Sequence, residues 1–103
     1  MAETQIHIDK LEVTHNPEEN RFEIQLEDLL AKLDYMEDKD SIMMMHVGVP
    51  VEFRGHGIAG VITRTALEYA KSKSLRVIPM CSYVRAYIKR NPQYVELTKI
   101  RNG

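Results

Sequence analysis

The first half of the chain alternates with a period of two. From Arg21 to Leu26, apolar Phe22, Ile24 and Leu26 interleave with polar neighbours, which predicts a strand with one face in a core and one in water. Leu11 to His15 predicts a strand before it, with the turn-rich Asn16-Pro17-Glu18-Glu19-Asn20 between. Leu29 to Met36 fits two templates. Leu29, Ala31, Leu33 and Tyr35 share a strand face, whereas Leu29, Leu30 and Leu33 fit helical spacing. We read a strand, because a helix here would leave the neighbouring strands with a lone connection to span. After a turn at Lys39-Asp40, Ile42 to Val49 is a nearly continuous apolar run, as expected of a strand buried on both faces.

The period then changes. Pro50 ends the run, and Gly55 and Gly57 open a loop. Ile58, Val61, Ile62, Thr65, Ala66 and Tyr69 follow the i, i+3, i+4, i+7 spacing of an amphipathic helix that runs to about Lys73. Leu75 to Pro79 is short, β-branched and apolar, a second buried strand. Ser82 is placed to cap a short helix through Lys89. Asn91-Pro92 interrupts that helix, and a last helical turn starts at Pro92. Strand, loop, helix and strand in this order make a βαβ unit, so Ile42–Val49 and Leu75–Pro79 are predicted to lie parallel in one sheet. The fold class is α/β, with a mixed, mainly antiparallel sheet. The 103 residues suit a single domain spanning 1–103.

Charge adds one asymmetry. The net charge is −1, from 14 Lys+Arg against 15 Asp+Glu, which gives no global attraction to nucleic acid or to an anionic membrane. Residues 17 to 40 are nonetheless mostly acidic and the chain from Arg54 onward mostly basic, so an anionic ligand belongs with the second half. A lone cysteine, Cys81, permits no internal disulfide. No apolar run is long enough for a membrane span, and Met1 to Gln5 reads as neither signal nor transit peptide, so the expected location is cytoplasmic.

Candidate chemistry gathers at Arg54-Gly55-His56-Gly57-Ile58-Ala59, between a buried strand and a long helix. Helix starts carry unpaired N–H groups and the positive end of the macrodipole, and glycines let a phosphate approach the backbone. Arg54 and His56 add donors. A loop whose glycines only make the turn has the same composition. Val49-Pro50 followed by Arg54-x-x-Gly57-x-Ala59 resembles the acyl-CoA signature of the GNAT-type N-acetyltransferases, and it stands where that superfamily carries it. The resemblance continues through Val77-Ile78-Pro79-Met80-Cys81-Ser82-Tyr83-Val84, Ala86-Tyr87-Ile88 and Arg90-Asn91-Pro92-Gln93-Tyr94, which look like a short subfamily with a cysteine after the second parallel strand.

That resemblance implies a truncated GNAT-like acyl-CoA N-acyltransferase fold and acetyl-coenzyme A as co-substrate, with no metal. The pyrophosphate would rest on the amides of Arg54 to Ala59, with Val49, Gly55, His56, Gly57 and Ile58 around it. Pantetheine would lie where the two parallel strands splay. Tyr83 or Tyr87 could protonate the leaving thiolate, and Lys89 or Arg90 could meet the 3′-phosphate, although packing and solvated charge explain such residues equally. Helices and strands that build the acceptor pocket in longer members are missing or shrunken. The expected function is acetyl transfer to an unidentified amine on a small molecule or a protein; the alternative is a non-catalytic CoA-binding sensor or interaction module. Cys81 and His46, on adjoining strand ends, could face one cavity. Cys81 could then carry the acyl group with His46 as its base, or His46 could deprotonate the amine directly. Both residues could instead be core. His7 and His15 lack partners at metal-site spacing. Met43-Met44-Met45 could line an acyl tunnel or fill a core.

Overall fold

Four consecutive strands pair with their sequence neighbours, each antiparallel to the last, in the computed structural model, which describes residues 11–100. His7 and Met1 to Gln5 lie outside those residues. The strands are β1 (Thr14–Asn16), β2 (Arg21–Leu26), β3 (Leu29–Glu37) and β4 (Ser41–Gly48). Helix α1 (Ile58–Ser72) crosses over to β5 (Arg76–Pro79), which pairs with β4 in parallel. The sheet order is therefore β1-β2-β3-β4-β5. Helix α2 (Ser82–Arg90) and a 3₁₀ helix (Pro92–Thr98) complete the described chain. The mixed, mainly antiparallel sheet with a βαβ unit agrees with the sequence expectation, and the ambiguous Leu29 segment is a strand.

One face of the sheet holds the core. Phe22, Ile24, Leu26, Ala31, Leu33, Tyr35, Ile42, Met44 and Val77 are buried on it. Helix α1 covers them with Ile58, Ile62, Ala66, Leu67 and Ala70, and α2 adds Val84 and Ile88. Each large apolar side chain buried here contributes about 1.5–3 kcal/mol. Asp38 fixes the β3–β4 turn: its Oδ1 accepts from the Asp40 and Ser41 amides at 2.8 and 2.7 Å. The Tyr94 hydroxyl donates to Glu68 at 2.7 Å, tying the C-terminal 3₁₀ helix to α1.

Nothing among the described residues buries the opposite face. No residue of β2, β3 or β4 that points to it is buried. The apolar run from Ile42 to Val49 thus has one buried face, not two: Met44 is fully buried, whereas Met45 and His46 are exposed. The register explains the change. Asp34 pairs with His46 and Tyr35 with Met44, which leaves Met45 as an extra residue in a β-bulge. Two further expectations shift. The N-cap of α2 is Cys81, with no side-chain cap, so Ser82 is its first helical residue. The predicted first strand forms only from Thr14, though Leu11 and Val13 still pack against the core.

An aromatic cluster closes the far end of the sheet. The His15 ring stacks on Phe22 with centroids 4.3 Å apart, and Tyr69 meets it edge-on at 4.6 Å. His15 Nε2 and the Tyr35 hydroxyl share a hydrogen bond, and the Tyr69 hydroxyl donates to Glu37 at 2.8 Å. Burial and the Glu37 bond push the Tyr69 pKa up to about 12, so it remains a donor at all ordinary pH. Burial also lowers the His15 pKa, the nearby Glu37 opposing this and Lys73 adding to it. A histidine held neutral stabilises the fold fully above its unfolded value of about 6.5, and that stability is lost as pH falls through this value toward the folded pKa. Thermal melts should therefore show the wild type losing more stability than His15→Phe between about pH 7.5 and about pH 5. Parallel curves for the two proteins would remove His15 as the cause.

Candidate functional site

The cleft begins where two parallel strands stop pairing. The β4–β5 register runs Ser41↔Arg76, Ile42↔Val77, Met43↔Ile78 and Met44↔Pro79, and then ends. The Met44 carbonyl accepts the amides of both Met80 and Cys81 at 3.0 Å, which turns the chain out of β5 and into α2. Strand β4 continues to Gly48 without a partner on that side among the described residues. The strands therefore splay, and the backbone of β4 beyond Met44 is left facing the opening.

The glycine loop stands at the mouth of this opening. A 3₁₀ turn, Val51–Phe53, follows Pro50 and buries Phe53, which anchors the loop to the core. Arg54 Nε donates to the Val49 carbonyl at 3.2 Å, holding the guanidinium against the strand end. Gly55 and Gly57 have φ of 87° and 76°, left-handed values that side chains disfavour. Gly57 is the N-cap of α1, and no side chain caps this end. The first helical bond runs from the Val61 amide to the Gly57 carbonyl at 3.2 Å. The amides of Ile58, Ala59 and Gly60 precede it, so they project from a helix start with no acidic residue in its first turn.

A cavity of about 330 Å³ opens over those amides, lined by Val49, Phe53, Arg54, Gly55, Gly57, Ile58, Ala59 and Tyr83. Seven of the residues nominated from sequence thus meet at one place, and Phe53 joins them. A second cavity of about 650 Å³ shares Gly57 and extends along α1 past Gly60, Val61, Arg64 and Thr65 to Tyr87, with Leu11 and Val13 as its far wall. The Tyr83 hydroxyl and the Tyr87 ring both lie over Gly60, 3.5 and 3.6 Å from where a Cβ would stand. Burial raises the Tyr87 pKa, with Arg64 and Arg90 pulling the other way, so its hydroxyl is a proton donor at neutral pH. Arg90 is exposed, its guanidinium 5.9 Å from the Tyr83 ring centroid. His56 is exposed and does not line the smaller cavity.

Sequence reasoning missed Arg64. It lines the larger cavity and also a third of about 590 Å³ with Thr65, Glu68, Gln93 and Tyr94. A single arginine on the polar side of a helix reads as solvated charge, and only the fold sets it one helical face along from the glycine loop.

Cys81 and His46 are not brought into hydrogen bonding with each other. Half-buried Cys81 packs against the core at the start of α2. The bulge turns His46 to the bare face, directly across from Asp34, with its Nε2 3.1 Å from where a Gly48 Cβ would stand. Of the methionine run, Met44 is core, Met43 is half-buried on the bare face and Met45 is exposed at the bulge. His15 belongs to the aromatic cluster, and among the described residues no group of three or more His, Cys, Asp or Glu could hold a metal ion.

Comparison with known proteins meets this geometry. The family model for GCN5-related N-acetyl-transferase matches residues 21–97, from β2 through the C-terminal 3₁₀ helix. Protein NATD1 of Xenopus tropicalis is 30% identical over 91 residues, covering 84% of each chain. Protein NATD1 of Gallus gallus is 30% identical over 91 residues, covering 84% of this chain and 83% of its own. That of Danio rerio is 28% identical over 92 residues, again covering 84% of each. The match spans both parallel strands, the glycine loop and the helix it starts, and the chain belongs to the GCN5-related N-acetyltransferase family.

Proposed function

We propose that this protein binds acetyl-coenzyme A in the splayed cleft and transfers the acetyl group directly to an amine. One observation carries the binding half: the uncapped start of α1, with left-handed Gly57 and three free-standing amides, opens into a cavity beside Arg54. Amides and dipole there suit the pyrophosphate, and Arg54 supplies an ionic donor. The unpaired side of β4 beyond Met44 offers backbone groups to the amides of pantetheine. Arg64, together with Arg90, is the cation available to the 3′-phosphate end of the ligand.

The thioester supplies an activated carbonyl carbon. The amine nitrogen forms a bond to that carbon as the carbon–sulfur bond breaks. His46 takes the proton that the amine loses, and Tyr83 or Tyr87 returns one to the departing sulfur. His46 faces away from the core against which Cys81 packs, with no hydrogen bond between the two, which favours this direct route over a relay through the thiol. Cys81 then shapes the inner wall of the cleft.

Three measurements test the reading. Gly57→Val puts a branched side chain at a left-handed position over the cavity, so calorimetry on the folded variant should lose CoA binding by at least about tenfold. Unchanged affinity would sink the loop assignment. Arg54→Ala should weaken CoA binding about tenfold at low salt, and less as ionic strength rises. A wild type whose affinity ignores salt would count against phosphate recognition at this loop. Cys81→Ala should keep most of the turnover while His46→Ala loses about a hundredfold or more, the usual range for a general base. An acetyl adduct on Cys81 in mass spectra, with an inactive Cys81→Ala, would restore the thiol route.

A further inference from the structure

One wall of the larger cavity is held from a distance. Leu11 and Val13 form the far side of the space of about 650 Å³ that starts at Gly57, yet they belong to no helix or strand and are half-buried. Their hold comes from packing on the core and from β1, which has three residues and three pairs with β2. So short a strand is marginal by itself. Its base is fixed: the Asn16 side chain donates to Glu23 Oε2 at 3.2 Å and accepts the Glu19 amide at 3.3 Å. Between that base and the cavity wall, the ring that β1 sends to the helix side is His15, directly across from Phe22.

The imidazole touches three elements at once. It stacks on Phe22 of β2, shares a hydrogen bond with Tyr35 of β3 and meets the Tyr69 ring of α1 edge-on. Through it the segment is tied to sheet and helix together. The titratable and charged groups that face it are Tyr35 and Glu37 from β3 and Tyr69 and Lys73 from α1. From β2 it meets Phe22, while Arg21 and Glu23 pair with each other on the opposite face. Glu37 accepts the Tyr69 hydroxyl at 2.8 Å, and Lys73 Nζ lies 5.8 Å from the Tyr69 ring centroid. A proton on His15 would thus sit among aromatic carbons, with a carboxylate already engaged by Tyr69 and an ammonium group nearby. Burial outweighs the pull of Glu37, so the pocket favours the neutral ring.

We propose that residues 11–16 are a strap on the ligand cavity, pinned by His15, and that protonation of this imidazole releases the strap. Its effect on the ligand rests on the reading of that cavity as part of the coenzyme A site. With the strap down, Leu11 and Val13 close one side of the space along Gly60 and Arg64. With the strap lifted that apolar wall is gone, while the glycine loop keeps its own anchors, buried Phe53 and the Arg54 bond to the Val49 carbonyl. An imidazole that resists its proton stabilises the closed strap fully above its unfolded value of about 6.5, and this is lost as pH falls toward the folded pKa. Mild acid therefore loosens the grip on the coenzyme without unfolding the sheet.

The test follows amide hydrogen exchange by NMR in the intact, ligand-free protein at about pH 7.5 and about pH 5, each rate divided by its intrinsic value. The wild type should lose about tenfold in protection at Thr14, His15 and Asn16 on acidification, while β3 and α1 keep theirs. His15→Phe, which keeps the ring stack and takes no charge, should lose less than about twofold. Two further variants decide the matter if His15→Phe folds poorly. Lys73→Gln removes a cation that opposes the proton and should lessen the loss. Glu37→Gln still accepts from Tyr69 but no longer favours the proton, and it should enlarge the loss. Calorimetry at the same two pH values should show CoA affinity falling about fivefold more in the wild type than in His15→Phe, a comparison in which the ligand's own titration cancels. Protection at residues 14–16 that ignores pH, or that falls equally in all four proteins, would overturn the pin. Equal loss across β3 would make the change global and overturn the strap. Release with no difference in CoA affinity between wild type and His15→Phe would overturn its link to the cavity. A wild type that binds no CoA at either pH would strike the coenzyme reading instead, and the exchange rates would still decide the strap.

Discussion

Much of this molecule turns on a single carbonyl. Met44 O takes two amides, those of Met80 and Cys81, and with them it ends the β4–β5 ladder. Had pairing continued, β5 would have sealed the edge of β4 and no cleft would exist. Because it stops, four residues of β4 face an opening, and the chain leaving β5 is redirected as α2. Helix α2 in turn brings Tyr83 and Tyr87 over the start of α1. The glycine loop, the tyrosines and the half-buried thiol are all arranged around that break.

The bulge one residue later divides labour between the two faces of the sheet. Before it, alternate residues of β4 enter the core; after it, the phase is reversed, and His46 looks toward solvent beside Asp34. A bulge re-aims side chains without disturbing the strands on either side. Charge is divided along the chain as well, with residues 17 to 40 mostly acidic and the chain from Arg54 onward, which builds the glycine loop and α1, mostly basic. That polarity is invisible in the net charge.

Some of this was legible in the sequence and some was not, for identifiable reasons. The alternation of Phe22, Ile24 and Leu26 and the helical spacing from Ile58 to Tyr69 give β2 and α1 directly, because one buried face imposes one period. The loop residues Arg54, Gly55, Gly57, Ile58 and Ala59 are contiguous, so a motif finds them together. His46 is different. Its facing depends on a bulge at Met45, a position with no glycine or proline to announce it, in a run apolar enough to read as buried throughout. That bulge sets His46 on the face away from the core against which Cys81 packs. Arg64 was unreadable because its significance lies in tertiary placement alone. The Cys81 N-cap was hidden by the stronger capping residue beside it, Ser82.

Strand order follows chain order throughout the sheet, and this has a kinetic side. The meander from β1 to β4 assembles from neighbours joined by short turns, contacts that cost little chain entropy to form. Only β5 must return across the whole of α1 to find its partner. The cleft is made by that return, so it is the part of the molecule built from the least local contacts. Substitutions that weaken the crossover would slow the appearance of the ligand site while leaving the meander free to form early.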